Sequence, residues 1–138
     1  MIELTDDMRG AIDNALLEGV PLSLATASGR GAPDIALKGS LMVWDGEHLA
    51  YWERSRGQTM QNIEENPQVC ILYRNPVKRI AWKLFGTGRV LHDGELRMRI
   101  MERTIDAELQ RDPERKGAAV LIRVDRVVQG GQVIMARE

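Results

Sequence analysis

The sequence predicts a mainly β domain, about six antiparallel strands closed as a barrel with helices on its flanks. Three observations carry this. Short apolar stretches of strand length recur along the chain, PLSLATA and VCILY among them. Turn signals such as Asp45-Gly46 and Asn75-Pro76 join most of them, leaving too little chain for parallel crossovers. Only three stretches carry helical spacing, and they do not alternate regularly with the strands.

Thr5-Asp6-Asp7 reads as a helix start, with acidic residues favourable in the first turn. Met8, Ile12, Ala15 and Leu16 recur at helical spacing, and Gly19 is a fitting stop. Residues 21–27 form the first predicted strand, and Ser28 to Gly31 a turn. Residues 34–44 read as one strand interrupted at Gly39, where a bulge or a close backbone approach is expected. Asp45-Gly46 closes a hairpin onto residues 48–52. Residues 58–66 are helical and stop at Pro67. Residues 68–73 form a buried strand, with Cys70 expected as an inert core thiol. Residues 79–91 form a long strand bent at Gly86 and Gly88. A helix follows from about residue 95 to 110, with Leu96, Ile100, Met101, Ile105 and Leu109 as its stripe. The last main strand covers 119–128, and Gly130-Gly131 leads to a short final one at 132–135.

A chain of 138 residues argues for one domain spanning 1–138. The net charge of −1 supplies no basic field for nucleic acid or an anionic membrane. Cys70 is the only cysteine, which excludes an internal disulfide and a four-cysteine metal site. His48 and His92 stand in no ligand spacing, so no metal is expected. The start, MIELTDDMRG, is acidic and lacks the apolar run of a signal peptide. No apolar stretch approaches the roughly 20 residues that span a bilayer. A cytoplasmic location is the expectation.

The segment from Pro33 to Pro67 carries the functional expectation. When its hairpin folds, Lys38-Gly39-Ser40 comes near the loop from Arg54 to Thr59. Gln58 and Thr59 stand where a helix begins, and free N–H groups there favour a phosphate. Arg54 and Arg56 add charge, and Arg56 has the forked geometry that phosphate oxygens accept. Lys38 and Arg56 are placed to share one anion. The same residues also read as an ordinary helix start beside solvated arginines, and Lys38 as a surface lysine beside a bulge. All six aromatic residues lie between 44 and 85. Trp52 and Trp82 are the candidates for a pocket wall against a flat ring system, while Tyr51, Tyr73 and Phe85 read as core. No side chain reads as a convincing acid or base, so no catalytic residue is assigned.

Several segments, in order and spacing, resemble the pyridoxamine 5'-phosphate oxidase-like FMN-binding split barrels, small single-domain members above all. They are LSLATASGRGAPDIA, the KGS segment, the WDG hairpin, NIEENPQVCIL and WKLFGTGRVL, together covering about residues 20–128. The resemblance implies a six-stranded antiparallel split β-barrel working as a homodimer, with FMN in the groove between subunits. It implies that Lys38, Gly39, Ser40 and Leu41 line the isoalloxazine and ribityl chain. Trp52, Glu53, Arg56, Gln58 and Thr59 would hold the ribityl and phosphate, and Trp82 would close the site from the second subunit. The implied activity is FMN-dependent oxidoreduction, passing hydride or electrons between a small molecule and the flavin, with a reduced nicotinamide as a candidate donor. The alternatives on the same fold are a deazaflavin-dependent reductase and a non-catalytic flavin-binding or redox-sensing protein. The chain departs from the oxidases at Gln58-Thr59, where they carry an Arg-Lys pair. Its ending, RVDRVVQGGQVIMARE, lacks their substrate-phosphate residues, which argues against oxidation of vitamin B6.

Overall fold

The structure is a computed structural model, and it describes residues 1–138. Thr5 caps α1 (Asp6–Asp13) by accepting a hydrogen bond from the Met8 N–H at 3.1 Å, and irregular turns continue to Gly19. The strands are β1 (Leu22–Ala27), β2 (Pro33–Lys38), β3 (Met42–Val43), β4 (His48–Glu53), β5 (Gln68–Asn75), β6 (Ile80–Leu91), β7 (Ala118–Gln129) and β8 (Gln132–Ala136). Helices α2 (Gln58–Glu65), α3 (Glu95–Arg103) and α4 (Asp106–Leu109) sit between them.

Every pairing is antiparallel, in the order β2-β1-β5-β6-β7-β4-β3, with β8 added beside β7. The curled sheet is a split barrel. It has eight strands: the six main ones and the short final strand that the sequence suggests, and one more because a predicted strand divides. The predicted 34–44 strand breaks at Gly39-Ser40 into β2 and β3, and these pair with different partners, β1 and β4. The Gly130-Gly131 turn also forms, with φ of 57° and 79°, and returns β8 onto β7.

Alternation along the strands fills the barrel. Leu22 and Leu24 of β1, Val69, Ile71 and Tyr73 of β5, and Leu84 of β6 face inward with almost no exposure. α1 closes one end with Met8, Ala11 and Ile12, and α2 adds Ile63. A smaller cluster of Met42, Ala50, Trp52, Ile100, Leu109 and Ala119 lies under α3 and α4.

The predicted 95–110 helix is two helices. Thr104 adopts extended angles (φ −69°, ψ 137°), and its hydroxyl donates back to the Ile100 carbonyl at 2.8 Å. This break redirects α4 so that Leu109 packs against the small cluster while Glu108 reaches the β2–β3 turn. Cys70 is also placed differently from expectation. It lies half-exposed on the outer face of β5, because the inward positions of that strand are Val69 and Ile71.

The outer face carries an apolar field. In register across β2, β1, β5 and β6 lie Ile35, Ala25, Cys70 and Phe85, and beside them Leu37, Ser23, Leu72 and Lys83. Ile35 is 68% exposed and Leu37 67%.

Candidate functional site

The hairpin brings Lys38, Gly39 and Ser40 against Trp52, Glu53, Arg54 and Ser55, and together with Leu37 and Glu108 they line a cleft of about 190 Å3. Ser40 locks the two segments. Its hydroxyl accepts from the Trp52 N–H at 3.0 Å and donates to the Trp52 carbonyl at 3.2 Å. The strand break at Gly39-Ser40 thus places a side chain where a ladder bond would otherwise run. A Cβ on Gly39 would meet the carboxylate end of Glu108, so this glycine gives α4 its seat.

Glu53 is the organising group. It is 1% exposed, and its two oxygens are fully engaged. Oε1 accepts from Lys38 Nζ at 3.0 Å and, at 3.5 Å, from the Tyr51 hydroxyl. Oε2 accepts from Ser55 Oγ at 2.8 Å and from the Arg56 N–H at 3.2 Å. Lys38 through its ammonium and Arg56 through its backbone N–H meet on Glu53, so the anion between them is the protein's own carboxylate and the Arg56 guanidinium takes no part in it. Glu53 therefore sets the loop geometry, and its charge makes it an unsuitable phosphate ligand. Burial first, then the Glu53 charge and hydrogen bond, hold the Tyr51 phenol well above its usual value of 10. The second cation of the cleft is paired too: Arg54 Nε donates to Glu108 Oε2 at 3.3 Å.

The loop then climbs to α2 through Arg56, whose φ of 53° is left-handed. This strained position falls on an arginine, while neighbouring Gly57 has a φ of −95°. The Arg56 guanidinium turns away from Lys38. Nη1 donates to the Lys116 carbonyl at 2.9 Å, and Nη2 donates to His92 Nδ1 at 3.0 Å. α2 begins with Gly57 at its N-cap and no side-chain cap bond. Its first-turn N–H groups and helix dipole are thus left for an anion. The donor set fits a phosphate monoester: uncapped N–H groups and a flanking guanidinium. It lacks the basic pair, and its guanidinium is engaged by the Lys116 carbonyl and His92, which leaves the backbone N–H groups as the free donors.

Of the remaining predicted residues, Leu41, Gln58, Thr59 and Trp82 lie outside the cleft, and Trp52 lines it. Leu41 is 3% exposed and belongs to the barrel core. Gln58 spends its amide on Asn62 Oδ1 at 2.7 Å, and Asn62 in turn donates to Thr26 at 3.0 Å. Thr59 is buried in the first turn of α2. Trp52 lines the cleft but is a buried residue, 3% exposed, with the Arg97 guanidinium 4.9 Å from the ring centroid. Trp82 stacks on Tyr73 at 5.1 Å and donates to Gln129 at 3.1 Å. It floors a different cavity, about 670 Å3, between α1 and the start of β6.

Two functional residues carry no clear sequence signal. Glu108 reaches the cleft only through the Thr104 break. Asp112 accepts from Trp52 Nε1 at 2.8 Å, from the Gly117 N–H at 2.8 Å and from the Lys116 N–H at 3.0 Å. Its Asp-Pro context marks a loop but not that role. Burial raises its pKa, but those hydrogen bonds and the Arg115 charge outweigh it and hold Asp112 below the usual carboxylate value.

Comparison with known proteins agrees with this architecture. An uncharacterised protein of Methanocaldococcus jannaschii is 29% identical over 123 residues, 88% of this chain and 77% of that protein. The crystal structure of HupZ from Group A Streptococcus is similar with a TM-score of 0.76 at 23% identity, covering 97% of this chain and 98% of that one. An FMN-binding protein from Syntrophomonas wolfei superposes with a TM-score of 0.70 at 13% identity, covering 91% of this chain and 88% of its own. Residues 8–129 match the pyridoxamine 5'-phosphate oxidase family. The chain belongs to that family, as a single small split-barrel member.

Proposed function

We propose that the chain is an FMN-binding oxidoreductase that works as a homodimer. The observation that carries the reading is the uncapped N-terminus of α2, held at the end of β4 by the Glu53-centred loop. An FMN-binding protein among its structural neighbours supports the choice of ligand. The flavin, when bound, supplies hydride and electron transfer. The chain's part is to bind and orient. α2 takes the phosphate on its backbone N–H groups with Arg56 alongside, Glu53 keeps the loop in register, and the Lys38–Ser40 backbone forms the wall beside the ribityl chain.

A second copy is needed to complete this site. The cleft of about 190 Å3 is smaller than the roughly 300–1,000 Å3 that encloses a small ligand. The exposed apolar field on β2, β1 and β5 is the surface on which the second copy would pack. Trp82, buried in the barrel core on the opposite face of β6, is not part of that surface. A dimer should appear in light scattering, and Leu37→Asp with Leu72→Asp should make it monomeric.

The test of ligand identity is a visible absorption spectrum before and after adding FMN and desalting, with titration calorimetry alongside. Retained flavin bands and micromolar or tighter binding support the reading. A chain that refuses FMN but binds a deazaflavin would overturn it in favour of a deazaflavin reductase. Bound FMN that no nicotinamide or small acceptor turns over would leave a flavin-storing or redox-sensing protein.

A further inference from the structure

The Arg56 guanidinium is not free to meet an anion. Its two contacts, the Lys116 carbonyl and His92 Nδ1, fold it back onto the protein. The second contact needs an acceptor on the His92 ring. Arg56 can only donate, so Nδ1 must be an unprotonated acceptor. The other ring nitrogen, Nε2, lies 2.9 Å from Glu64 Oε2, and a carboxylate can only accept, so Nε2 carries the proton. The latched state therefore requires a neutral ring in one tautomer.

Adding a proton at Nδ1 removes the acceptor and sets an imidazolium against a guanidinium. The same proton strengthens the opposite contact, because His92 then forms an ion pair with Glu64. The two states are thus distinct. A neutral His92 holds Arg56 Nη2, and a charged His92 is held by Glu64 and frees that nitrogen, leaving Arg56 tethered by the Lys116 carbonyl alone. The charged groups in contact with the ring are Arg56 from the β4–α2 loop and Glu64 from α2, while Asp93 follows it in the chain. The Lys116 ammonium is turned to Glu114 at 2.8 Å and contributes only its carbonyl to Arg56.

We propose that His92 is a positioning residue that decides whether Arg56 is available to an anion at the start of α2. The proposal rests on the reading of that helix start as the phosphate seat. It makes the affinity for a phosphate-bearing ligand rise as His92 gains its proton. The gain should be about two- to five-fold, the range that a solvent-facing charge pair commands. The ligand's own phosphate loses charge with a pKa near 6, which weakens binding at low pH and opposes this trend. Variants must therefore separate the two.

The experiment is a titration of FMN from pH 5.5 to 8 by fluorescence quenching, on the wild type, His92→Ala and His92→Gln. Riboflavin, which has no phosphate, is the control ligand. His92→Ala should bind FMN more tightly than wild type at pH 8, by about the same two- to five-fold, and the two should converge at pH 5.5. His92→Gln keeps an acceptor for Arg56 at all pH values, so it should stay at the weak level and fail to gain at pH 5.5. Riboflavin binding should not differ among the three proteins. Nitrogen-15 NMR of the ligand-free chain reads the latch directly, with His92 in the Nε2–H tautomer at pH 8. Parallel pH profiles in wild type and His92→Ala, with FMN bound, overturn the latch and leave the phosphate seat standing. Failure of all three proteins to bind FMN at any pH overturns the seat and the latch together. An Nδ1–H tautomer at pH 8 overturns the latch whatever the affinities.

Discussion

Replacing Glu53 by glutamine removes one charge from the centre of the loop and changes almost no volume. The side chains of the pair are 1% exposed for Glu53 and 14% for Lys38. At 3.0 Å and an effective dielectric near 20, their attraction is about 5–6 kcal/mol. Breaking a buried pair by removing one partner costs about 3–5 kcal/mol, because the other charge is stranded. Lys38 keeps a solvent-facing side and regains part of its hydration, which lowers the expected loss to about 2–4 kcal/mol. The glutamine amide also faces the Ser55 hydroxyl or the Arg56 N–H with a donor in place of an acceptor. The assay is urea unfolding at fixed protein concentration, followed by tryptophan fluorescence. With m near 2 kcal/mol per molar, the midpoint should fall by roughly 1–2 M with m unchanged. Lys38→Met should cost a similar amount, and the double variant less than the sum by about 1–3 kcal/mol. A midpoint within about 0.3 M of wild type, or strict additivity in the double variant, would refute the central role given to Glu53.

Four further outcomes follow from the same geometry. Asp112 has a lowered pKa, so its stabilisation is full above the ordinary carboxylate value near 3.9 and is lost as pH falls through the lower folded value; Asp112→Asn should flatten the acid limb of a pH–stability curve below about pH 4. Tyr51 has a raised pKa, so its contribution is full below the ordinary phenol value near 10 and is lost as pH rises through the folded value; Tyr51→Phe should reduce the alkaline loss of stability above about pH 10, read by circular dichroism. Gly86→Ala places a Cβ 2.5 Å from the Arg123 carbonyl and 2.8 Å from the Ile122 side chain, at the bulge that joins β6 to β7, and should cost roughly 1–3 kcal/mol in thermal or urea melts. Gly117→Ala sets a Cβ 2.7 Å from the Glu53 carbonyl and 2.8 Å from Trp52 Nε1, and should lower both the melting temperature and any FMN affinity.

The sheet was legible because its signals are local. Alternation in PLSLATA, the Asp45-Gly46 turn and the Asn66-Pro67 stop each act within a few residues, and strands and helices start close to where those signals put them. The misplacements came from non-local causes. Nothing inside residues 34–44 says that Ser40 bonds the Trp52 backbone and so divides β2 from β3. The stripe from Leu96 to Leu109 keeps helical spacing across Thr104, yet packing of Leu109 beside Trp52 turns the chain there. Cys70 was misjudged because VCILY is apolar at every position, and only the register with β1 and β6 decides which face looks outward. The convergence of Lys38 with the Arg54–Gly57 loop was legible from the hairpin. That Glu53 occupies the centre of it had no sequence pattern, and the turn of Arg56 to His92 depends on a partner 36 residues away.

The pairing of Glu53 with Ala118 at the end of β4 has a consequence for how the chain is made. At a synthesis rate of about 5–20 residues per second, β7 emerges roughly 3–13 s after β4. Until then β4 has only the two-residue β3 as a neighbour, and Asp112, Lys116 and Gly117 do not yet exist to brace Trp52 and Arg56. A long-range closure of this kind is slow relative to hairpin formation. The bracing of the loop is therefore a late stage of folding, and a chain halted before residue 112 carries β1 to β6 without the residues that hold Trp52 and the Arg56 guanidinium. Ligand capture during translation would then time the completion of the barrel, where strand content alone would report it too early.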